Sequence, residues 1–251
     1  MNRNLVAIGG ALAVLAGPAF AEDTSIQRTE DGRPDLQGVW SSRWLTPVER
    51  IAGETELVVS AERGAELAKE LLERAGHPAQ MDPELAAPDA ETLAIVRGEH
   101  RTSLIISPDD GKLPMNDAGR AARLAYVSGL DGPEQRMTTE RCIGGVGWAP
   151  LQIRTHAMLR EIVQTDDHVV LRTEAYSDLR LVPIDAERRP DAAAPHMGES
   201  VGRWEGDTLV VETRNYDPDL STHGIVTVMS PDAVVTEYAP TRASNCGNSI
   251  G

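Results

Sequence analysis

The chain has 251 residues, of which 39 are Asp or Glu and 24 are Lys or Arg, so its formal net charge at pH 7 is −15. Nucleic acids and anionic membrane surfaces would repel a chain of this charge, and we expect neither as a partner. The length suits one domain, or one domain with a helical appendage.

The N-terminus has the pattern of a secretory signal peptide. Arg3 gives the first residues a positive charge, residues 5–20 are apolar, and Ala19-Phe20-Ala21 has the small-x-small form of a cleavage site. Cleavage after Ala21 leaves 230 residues with a net charge of −16, because Arg3 is the only ionisable side chain removed. The apolar stretch is shorter than the roughly 20 residues of a spanning helix. We therefore expect a periplasmic or secreted protein with no membrane span; an uncleaved anchor is the alternative.

Helical periodicity follows in the first half of the remaining chain. Ser60 is placed to cap a helix over Ala61 to Ala75, and Gly76 and Pro78 follow it as stop signals. The same patterns predict a short helix over 89–97, a strand over 102–107, a turn over 108–111, and a helix from the cap residue Asn116 to Tyr126.

The apolar period changes from 3.6 to 2 after Cys142, which indicates strands. They are predicted over 161–165, 169–182, 208–215, 225–229 and 234–238. The predicted fold class is α+β, with a helical N-terminal half and an antiparallel β-meander or partial barrel in the C-terminal half. The chain then divides into a signal peptide (1–21), a lead-in with helices (22–130), an antiparallel β region (131–238) and a polar tail (239–251).

A β-hairpin is predicted within Gly198 to Tyr216, which reads GESVGRWEGDTLVVETRNY. Two strand-like stretches, 200–204 and 208–215, flank a short connection in which Gly206 can supply the positive φ that a tight turn needs. Ser200 lies in a G-x-S-x-G pattern. A hydrolase nucleophile in that pattern stands between a strand and a helix, so the predicted hairpin argues against this role for Ser200.

Four motifs carry a resemblance to a known family. They are GRPDLQGVW from Gly32, PEQRMTTERC from Pro133, IVQTDDHVVLRTE from Ile162, and GESVGRWEGDTLVVETRNY from Gly198. The similarity spans Asp31 to Tyr238 and resembles a family of exported bacterial proteins of acidobacterial and sphingomonad type. It implies homology and export, and it implies no particular reaction.

The sequence departs from that family pattern in two places. Similar proteins have a Pro- and Asn-rich stretch where this chain has residues 144–154, and they continue past the position of Tyr238 with one or two more strands. The comparison therefore predicts that a last strand is missing here. An unpaired sheet edge of that kind favours a homodimer.

Two cysteines, Cys142 and Cys246, are predicted to form a disulfide, because pairing is the usual state of cysteines in an exported chain. In the alternative, Cys246 belongs to a disordered polar tail and Cys142 is a small buried residue.

The candidate site lies on the strand predicted over 169–182. Its alternate positions are polar and would project to one face: Arg172, Glu174, Tyr176, Asp178 and Arg180. This row is either a solvated ion ladder or the lining of a curled sheet. In the second case Glu174 or Asp178 is a carboxylate flanked by Arg, with a pKa tuned for proton transfer. Arg172, Tyr176 and Arg180, together with Trp148, are the candidate substrate-binding residues.

Histidines complete the candidate site. His168 and His223 border predicted strands and are candidate proton carriers, so the predicted catalytic set is Glu174, His168, Asp178 and His223. The sequence has no His-x-His pair and no HExxH motif, and it has no motif for an organic cofactor; we expect neither a metal nor a cofactor.

Two functional classes fit these features. In the first, the protein is an exported enzyme without a cofactor, a lyase, isomerase or decarboxylase that acts on a hydrophobic or aromatic small molecule. In the second, the same pocket binds without catalysis, as in a periplasmic carrier or an interaction module. Convergence of Arg172, Glu174 and Asp178 with a histidine on one cavity would favour the enzyme.

Overall fold

The computed structural model of the chain describes residues 27–41, 44–74, 90–128, 132, 141, 149, 159–188, 195–217, 222–223 and 227–240. Of the described residues, 34% lie in strands and 16% in helices, and the sheets are mainly antiparallel. The predicted helical N-terminal half is therefore wrong. Two helices occur in the described part of the chain, and small strands lie between them.

Helix α1 (Ala61–Arg74) lies in a small subdomain of the first half. It follows Ser60, whose Oγ accepts a hydrogen bond of 3.2 Å from Arg63 N, as the capping pattern predicts. Leu67 and Ala68 on its inner side pack with Leu45, Ile51 and Leu93 in a buried apolar cluster. A three-stranded antiparallel sheet adjoins this helix, with the order β2 (Val58–Val59), β4 (Glu99–Arg101), β3 (Ile95–Val96).

The predicted short helix over 89–97 is wrong, since Ile95–Val96 is strand β3 and residues 90–94 form no helix. The predicted strand over 102–107 is also wrong, because the strand here is β4 and it ends at Arg101. Helix α2 (Asp117–Ser128) confirms the remaining prediction. Asn116 Oδ1 caps it by accepting a hydrogen bond of 2.8 Å from Gly119 N. Neither described helix is long and apolar enough to cross a membrane.

The largest sheet has four strands and is called sheet A here. Its order is β1 (Gly38–Ser41), β5 (Leu159–Gln164), β6 (His168–Thr173), β7 (Leu179–Pro183), and every neighbouring pair is antiparallel. Its first edge strand comes from the N-terminal segment. That segment is held by Gln164, which accepts a hydrogen bond from Leu36 N and donates one to Pro34 O.

The single strand predicted over 169–182 is two strands. A 3₁₀ turn, Ala175–Ser177, interrupts it, and Tyr176 and Ser177 have left-handed φ values of 61° and 52°. A strand of fourteen residues would exceed the usual range of three to ten. The turn folds β7 back onto β6, and the hairpin changes the alternation: odd-numbered residues of β6 share a face with even-numbered residues of β7.

The second sheet, called sheet B, has three antiparallel strands in the order β12 (Val235–Pro240), β9 (Thr208–Arg214), β8 (Glu199–Glu205). The predicted hairpin is confirmed: Glu205 pairs with Thr208, and Gly206 between them has a φ of +59°. A separate two-stranded ladder joins β10 (Thr222–His223) to β11 (Thr227–Val228), and α2 lies against β11.

Sheets A and B bury one face of each against the other. Val169 and Val182 from sheet A pack with Leu209 and Val211 from sheet B, and Leu36 completes this cluster. An isolated parallel bridge between Ile184 and Gly202 connects the end of β7 to β8. The two sheets thus share an inner side, which is apolar at this end.

Several sequence predictions fall outside the described residues. They are the signal peptide with its cleavage site after Ala21, the disulfide between Cys142 and Cys246, and Trp148.

Gly202 is expected to tolerate no side chain, because a Cβ at this position would lie 2.8 Å from Ile184 Cδ1 and 2.9 Å from Val182 Cγ1. Gly202→Ala should therefore lower the free energy of unfolding by about 1–3 kcal/mol through overpacking. Urea unfolding followed by circular dichroism measures this. Gly119→Ala in α2 is the control, since the nearest atom to its Cβ is 3.4 Å away and Ala favours helix. Equal stabilities of the two variants would contradict the packing between the sheets.

Candidate functional site

The polar end of the shared inner side holds the candidate site. In sheet A, the register places Arg160 of β5 opposite Thr173 of β6, and both side chains are buried. Arg180 of β7 lies on the same face and is also buried. Sheet B contributes inward-facing positions from all three of its strands at this end, namely Ser200, Thr213 and Glu237. We call Arg160, Arg180, Glu237 and Tyr216 the inner charged cluster.

An ion pair between the sheets forms the centre of this cluster. Arg180 Nη2 lies 2.7 Å from Glu237 Oε2, and the side chains are 4% and 19% exposed respectively. Arg180 Nε and Nη1 are buried and donate to no acceptor among the described residues. Buried donors without an acceptor are rare and destabilising in folded proteins, so the guanidinium of Arg180 is in an unusual and unfavourable state.

The second guanidinium of the cluster is that of Arg160, and its pKa is lower than usual. Burial and, to a smaller extent, repulsion by the charge of Arg180 lower the pKa of Arg160 to about 10, although the charge of Glu237 opposes both effects. Two guanidinium groups and the carboxylate of Glu237 therefore act on one another in this interior, where charges interact more strongly than in water.

Tyr216 adds a phenol to the cluster. Its side chain is fully buried, and its hydroxyl donates a hydrogen bond of 3.2 Å to Ala149 O. Burial raises the pKa of Tyr216, and the negative charge of Glu237 raises it further. The phenol is therefore protonated and acts as a hydrogen-bond donor over the physiological range. Ser200 Oγ and Thr213 Oγ1 lie 2.8 Å apart and bond each other beside it, which gives Ser200 a structural role.

The predicted polar row is divided by the 3₁₀ turn. Asp178 and Arg180 face inward and are 8% and 4% exposed. Arg172 instead lies on the outer face of sheet A, where it forms an exposed ion pair of 3.1 Å with Glu161. Tyr176 lies in the turn and Glu174 directly precedes it, and both are exposed. The row is thus neither one ion ladder nor one lining, because its members lie on opposite faces.

Of the predicted histidines, His168 lies away from the inner charged cluster. His168 begins β6, and its Nδ1 lies 2.9 Å from Oδ1 of the exposed Asp167. It is five residues along β6 from Thr173, a distance of roughly 17 Å. His223 lies in the separate ladder of β10 and β11. The predicted set of Glu174, His168, Asp178 and His223 therefore does not converge on one point.

Sequence reasoning missed Arg160, Glu237 and Tyr216. Two of them had a signal: Arg160 lies at alternate positions with Ile162 and Gln164 on one strand, and Glu237 lies at an alternate position with Val235 on another. An inward-facing charge on a strand is a recognisable feature. The sequence could not assign the inward face, because both faces of these strands carry charged and apolar residues.

An open cleft of about 300 Å³ lies where residues 185–188 cross strands β8 and β9. Arg188 dominates it and donates hydrogen bonds to Glu199 O and Glu212 O at 2.9 and 2.7 Å. Through these contacts the guanidinium of Arg188 holds residues 185–188 against sheet B. Within the described residues, no group of three or more His, Cys, Asp or Glu side chains is placed to hold a metal ion.

Comparisons of the chain with protein families, with curated proteins and with solved structures found no match.

Substitution of each of the two arginines by Met should change the free energy of unfolding by different amounts. Arg180→Met removes the partner of Glu237 and should lower the free energy of unfolding by about 2 kcal/mol, less than for a fully buried pair because Glu237 keeps contact with solvent. Arg160→Met removes a buried cation that Arg180 repels, so its cost in free energy of unfolding should be smaller than that of Arg180→Met. Urea unfolding of both variants at pH 7 measures the difference. A larger loss for Arg160→Met than for Arg180→Met would contradict this account.

Proposed function

We propose that the protein is an exported small-molecule-binding protein, a carrier, that binds a small organic anion on the inner side of its two sheets. One observation carries this proposal. Arg180 is 96% buried, and two of its three guanidinium nitrogens have no acceptor among the described residues, although a second buried guanidinium lies close enough to repel it.

An anionic ligand accounts for both features of this arrangement. Guanidinium groups form strong charge-assisted hydrogen bonds to carboxylates, and Arg is the residue that most often recognises them. A carboxylate between Arg160 and Arg180 would supply acceptors to Arg180 and would relieve the repulsion that lowers the pKa of Arg160. Functional sites often combine buried charge with a perturbed pKa in this way.

The neighbouring side chains suit a ligand with an apolar or aromatic body. Trp40 of β1 is the direct cross-strand neighbour of Arg160 on the inner face of sheet A. Its Nε1 donates a hydrogen bond of 2.8 Å to Leu36 O, which orients the indole ring. Aromatic side chains beside a polar anchor are a common feature of small-molecule sites.

Binding without catalysis is favoured over catalysis by the positions of the candidate proton carriers. Glu174 is exposed at the turn after β6, and His168 lies at the opposite end of that strand. An enzyme of the lyase, isomerase or decarboxylase class is the second candidate, and one observation supports it: Glu237 and the protonated Tyr216 accompany the two guanidinium groups. A carboxylate and a phenol can relay a proton to a bound ligand.

Export of the carrier to the periplasm or the medium is part of the proposal. Its support is the N-terminal sequence alone, with one basic residue, an apolar stretch over 5–20 and the Ala19-Phe20-Ala21 site. An exported anion carrier would bind its ligand outside the cytoplasm and would require no cofactor.

Ligand binding should depend on Arg180 and not on Arg172. In a thermal-shift screen of residues 22–251 against aromatic and aliphatic carboxylates, their amides, and sugars, we expect carboxylates alone to raise the unfolding midpoint. Isothermal titration of each hit should show at least a tenfold weaker affinity for Arg180→Gln, because the ligand loses a buried charge-assisted bond.

The matched control for that experiment is Arg172→Gln, which removes the same charge from the outer face of the adjacent strand. Its affinity should equal that of the wild type. Mass spectrometry of each hit after incubation distinguishes the two candidates, since a carrier returns the ligand unchanged. Equal losses for the two variants, or hits that are neutral compounds, would overturn the proposal.

The affinity for a carboxylate should fall at high pH. Arg160 has a pKa of about 10 in the folded protein, so it is charged below that pH and loses its proton above it. The ligand stays ionised throughout, so affinity should be constant between pH 7 and 9 and should weaken roughly tenfold by pH 11. Titrations at each pH measure this, with circular dichroism to show that the fold persists. Arg160→Met should lack the inflection; an inflection that remains in this variant would assign it to another group.

A further inference from the structure

We infer that the outer face of sheet A, which faces away from sheet B, is an interface through which two copies of the chain form a weak symmetric dimer. The side chains of this face on strands β5, β6 and β7 are called the outer patch: Glu161, Val163, Val170, Arg172, Leu179 and Leu181. Association through the outer patch does not involve the inner side of sheet A, so it is separate from ligand binding there.

The outer patch consists of two rows of side chains that run across three strands. The first row is apolar and consists of Val163, Val170 and Leu181, which are paired in register from β5 to β7. The second row consists of Glu161, Arg172 and Leu179, also paired in register. Since paired residues of neighbouring strands lie side by side on one face of a sheet, each row is continuous.

The apolar side chains of the outer patch are accessible to solvent. Val163, Leu179 and Leu181 are 42%, 57% and 53% exposed, and Tyr176, in the turn that joins β6 to β7, is 56% exposed. These four are among nine exposed large hydrophobic side chains in the described part of the chain. Single exposed apolar residues are common on protein surfaces, whereas a contiguous group marks an interaction surface. The outer patch is therefore a candidate for association with another protein surface.

The charges of the outer patch favour a second copy of the chain as that partner. Two copies repel each other in general, because each has a formal net charge of −15. The outer patch instead has one charge of each sign: Arg172 Nη1 lies 3.1 Å from Glu161 Oε2, and both side chains are exposed. Two such patches can therefore approach each other without a net repulsion between their own charges.

A two-fold axis makes the outer patch complementary to itself. In a symmetric dimer both subunits use the same surface, so a contact from one residue to another is always accompanied by the reciprocal contact. An axis parallel to the strands, between β5 and β6, places Glu161 opposite the partner's Arg172 and Val163 opposite the partner's Val170. The dimer then has two reciprocal ion pairs beside an apolar contact, in the face-to-face arrangement of a β-sandwich.

The size of the outer face makes this dimer weak. The four strands of sheet A, about 4.8 Å apart and up to about 20 Å long, cover roughly 300–400 Å² per subunit. A standard interface uses about 800 Å² of each partner, and smaller ones belong to weak complexes. We therefore expect a reversible dimer with a dissociation constant of about 10–100 µM.

Sedimentation velocity at protein concentrations from 1 to 200 µM measures this equilibrium. The wild type should change from monomer to dimer over the range. Arg172→Glu and Glu161→Arg should each weaken dimerisation at least tenfold, because each places like charges opposite one another at both contacts. Exposed ion pairs contribute little to folding, so both variants should keep the fold, which circular dichroism checks.

Mixing the two charge variants distinguishes a contact between subunits from a contact within one subunit. The patch of Arg172→Glu is doubly acidic and that of Glu161→Arg is doubly basic, so a mixed dimer regains both opposite-charge contacts. The equimolar mixture should dimerise at least as tightly as the wild type. The like charges within each chain remain side by side after mixing, so an effect confined to one subunit would not recover. Both variants keep a strongly negative net charge, so mixing creates no general attraction.

Leu179→Lys tests the apolar part of the interface. The same axis places Leu179 opposite the partner's Val39, which shares the outer face on β1, so an ammonium group there should weaken dimerisation at least tenfold. Ile106→Lys is the matched control, since Ile106 is 48% exposed and lies outside sheet A. Its dimerisation should equal that of the wild type.

Two results would overturn the inference. One is a wild type that remains monomeric at 200 µM. The other is a dimer that is insensitive to the two charge substitutions and to Leu179→Lys, because its interface would then lie on another surface, such as the edge strand β12. Neither result bears on anion binding, which is measured on the inner side of the sheets.

Discussion

The ion pair between Arg180 and Glu237 joins the two sheets at the end where their apolar contact stops. Arg180 comes from the last strand of sheet A and Glu237 from the edge strand of sheet B, so their 2.7 Å contact closes the polar end of the shared inner side. Val169, Val182 and Leu209 close the other end by apolar packing. The inner charged cluster keeps its geometry only when the contacts at both ends are intact, because each sheet supplies part of the cluster.

This division of the interior follows from the different requirements of apolar and charged groups. Apolar side chains stabilise the fold in proportion to the area they bury, whereas buried charges stabilise it only when they are paired and hydrogen-bonded. Burial and repulsion by the charge of Arg180 lower the pKa of Arg160, which shows that its charged form is costly at this position. A protein selected for stability alone would place an aliphatic residue there. The buried Nε and Nη1 of Arg180, which have no acceptor among the described residues, make anion binding the best-supported function.

Individual elements show which features of the fold can be predicted from local sequence patterns. Helix α1, the cap of α2 by Asn116 and the hairpin at Gly206 were predicted correctly, because each depends on a cap, a turn residue or a period within a few positions. The strand over 169–182 was predicted as continuous because its turn contains no Gly or Pro, and Tyr176 and Ser177 adopt left-handed φ values there. Because of that turn, Arg172 and Arg180 lie on opposite faces of sheet A, and half of the predicted site lies on the surface.

The sequence by itself determined the strong acidic character, the alternation of the long strands and the position of the β8–β9 hairpin, since these depend on composition and on neighbours along the chain. It also singled out Arg180 and Asp178, which the structure places inward. Only the tertiary structure decided which face of each strand is inside and which residues meet. Arg160 and Glu237 are 77 positions apart, and no local pattern links them. Their proximity depends on how sheet A packs against sheet B, because a site assembled from two sheets exists only after the chain has brought them together.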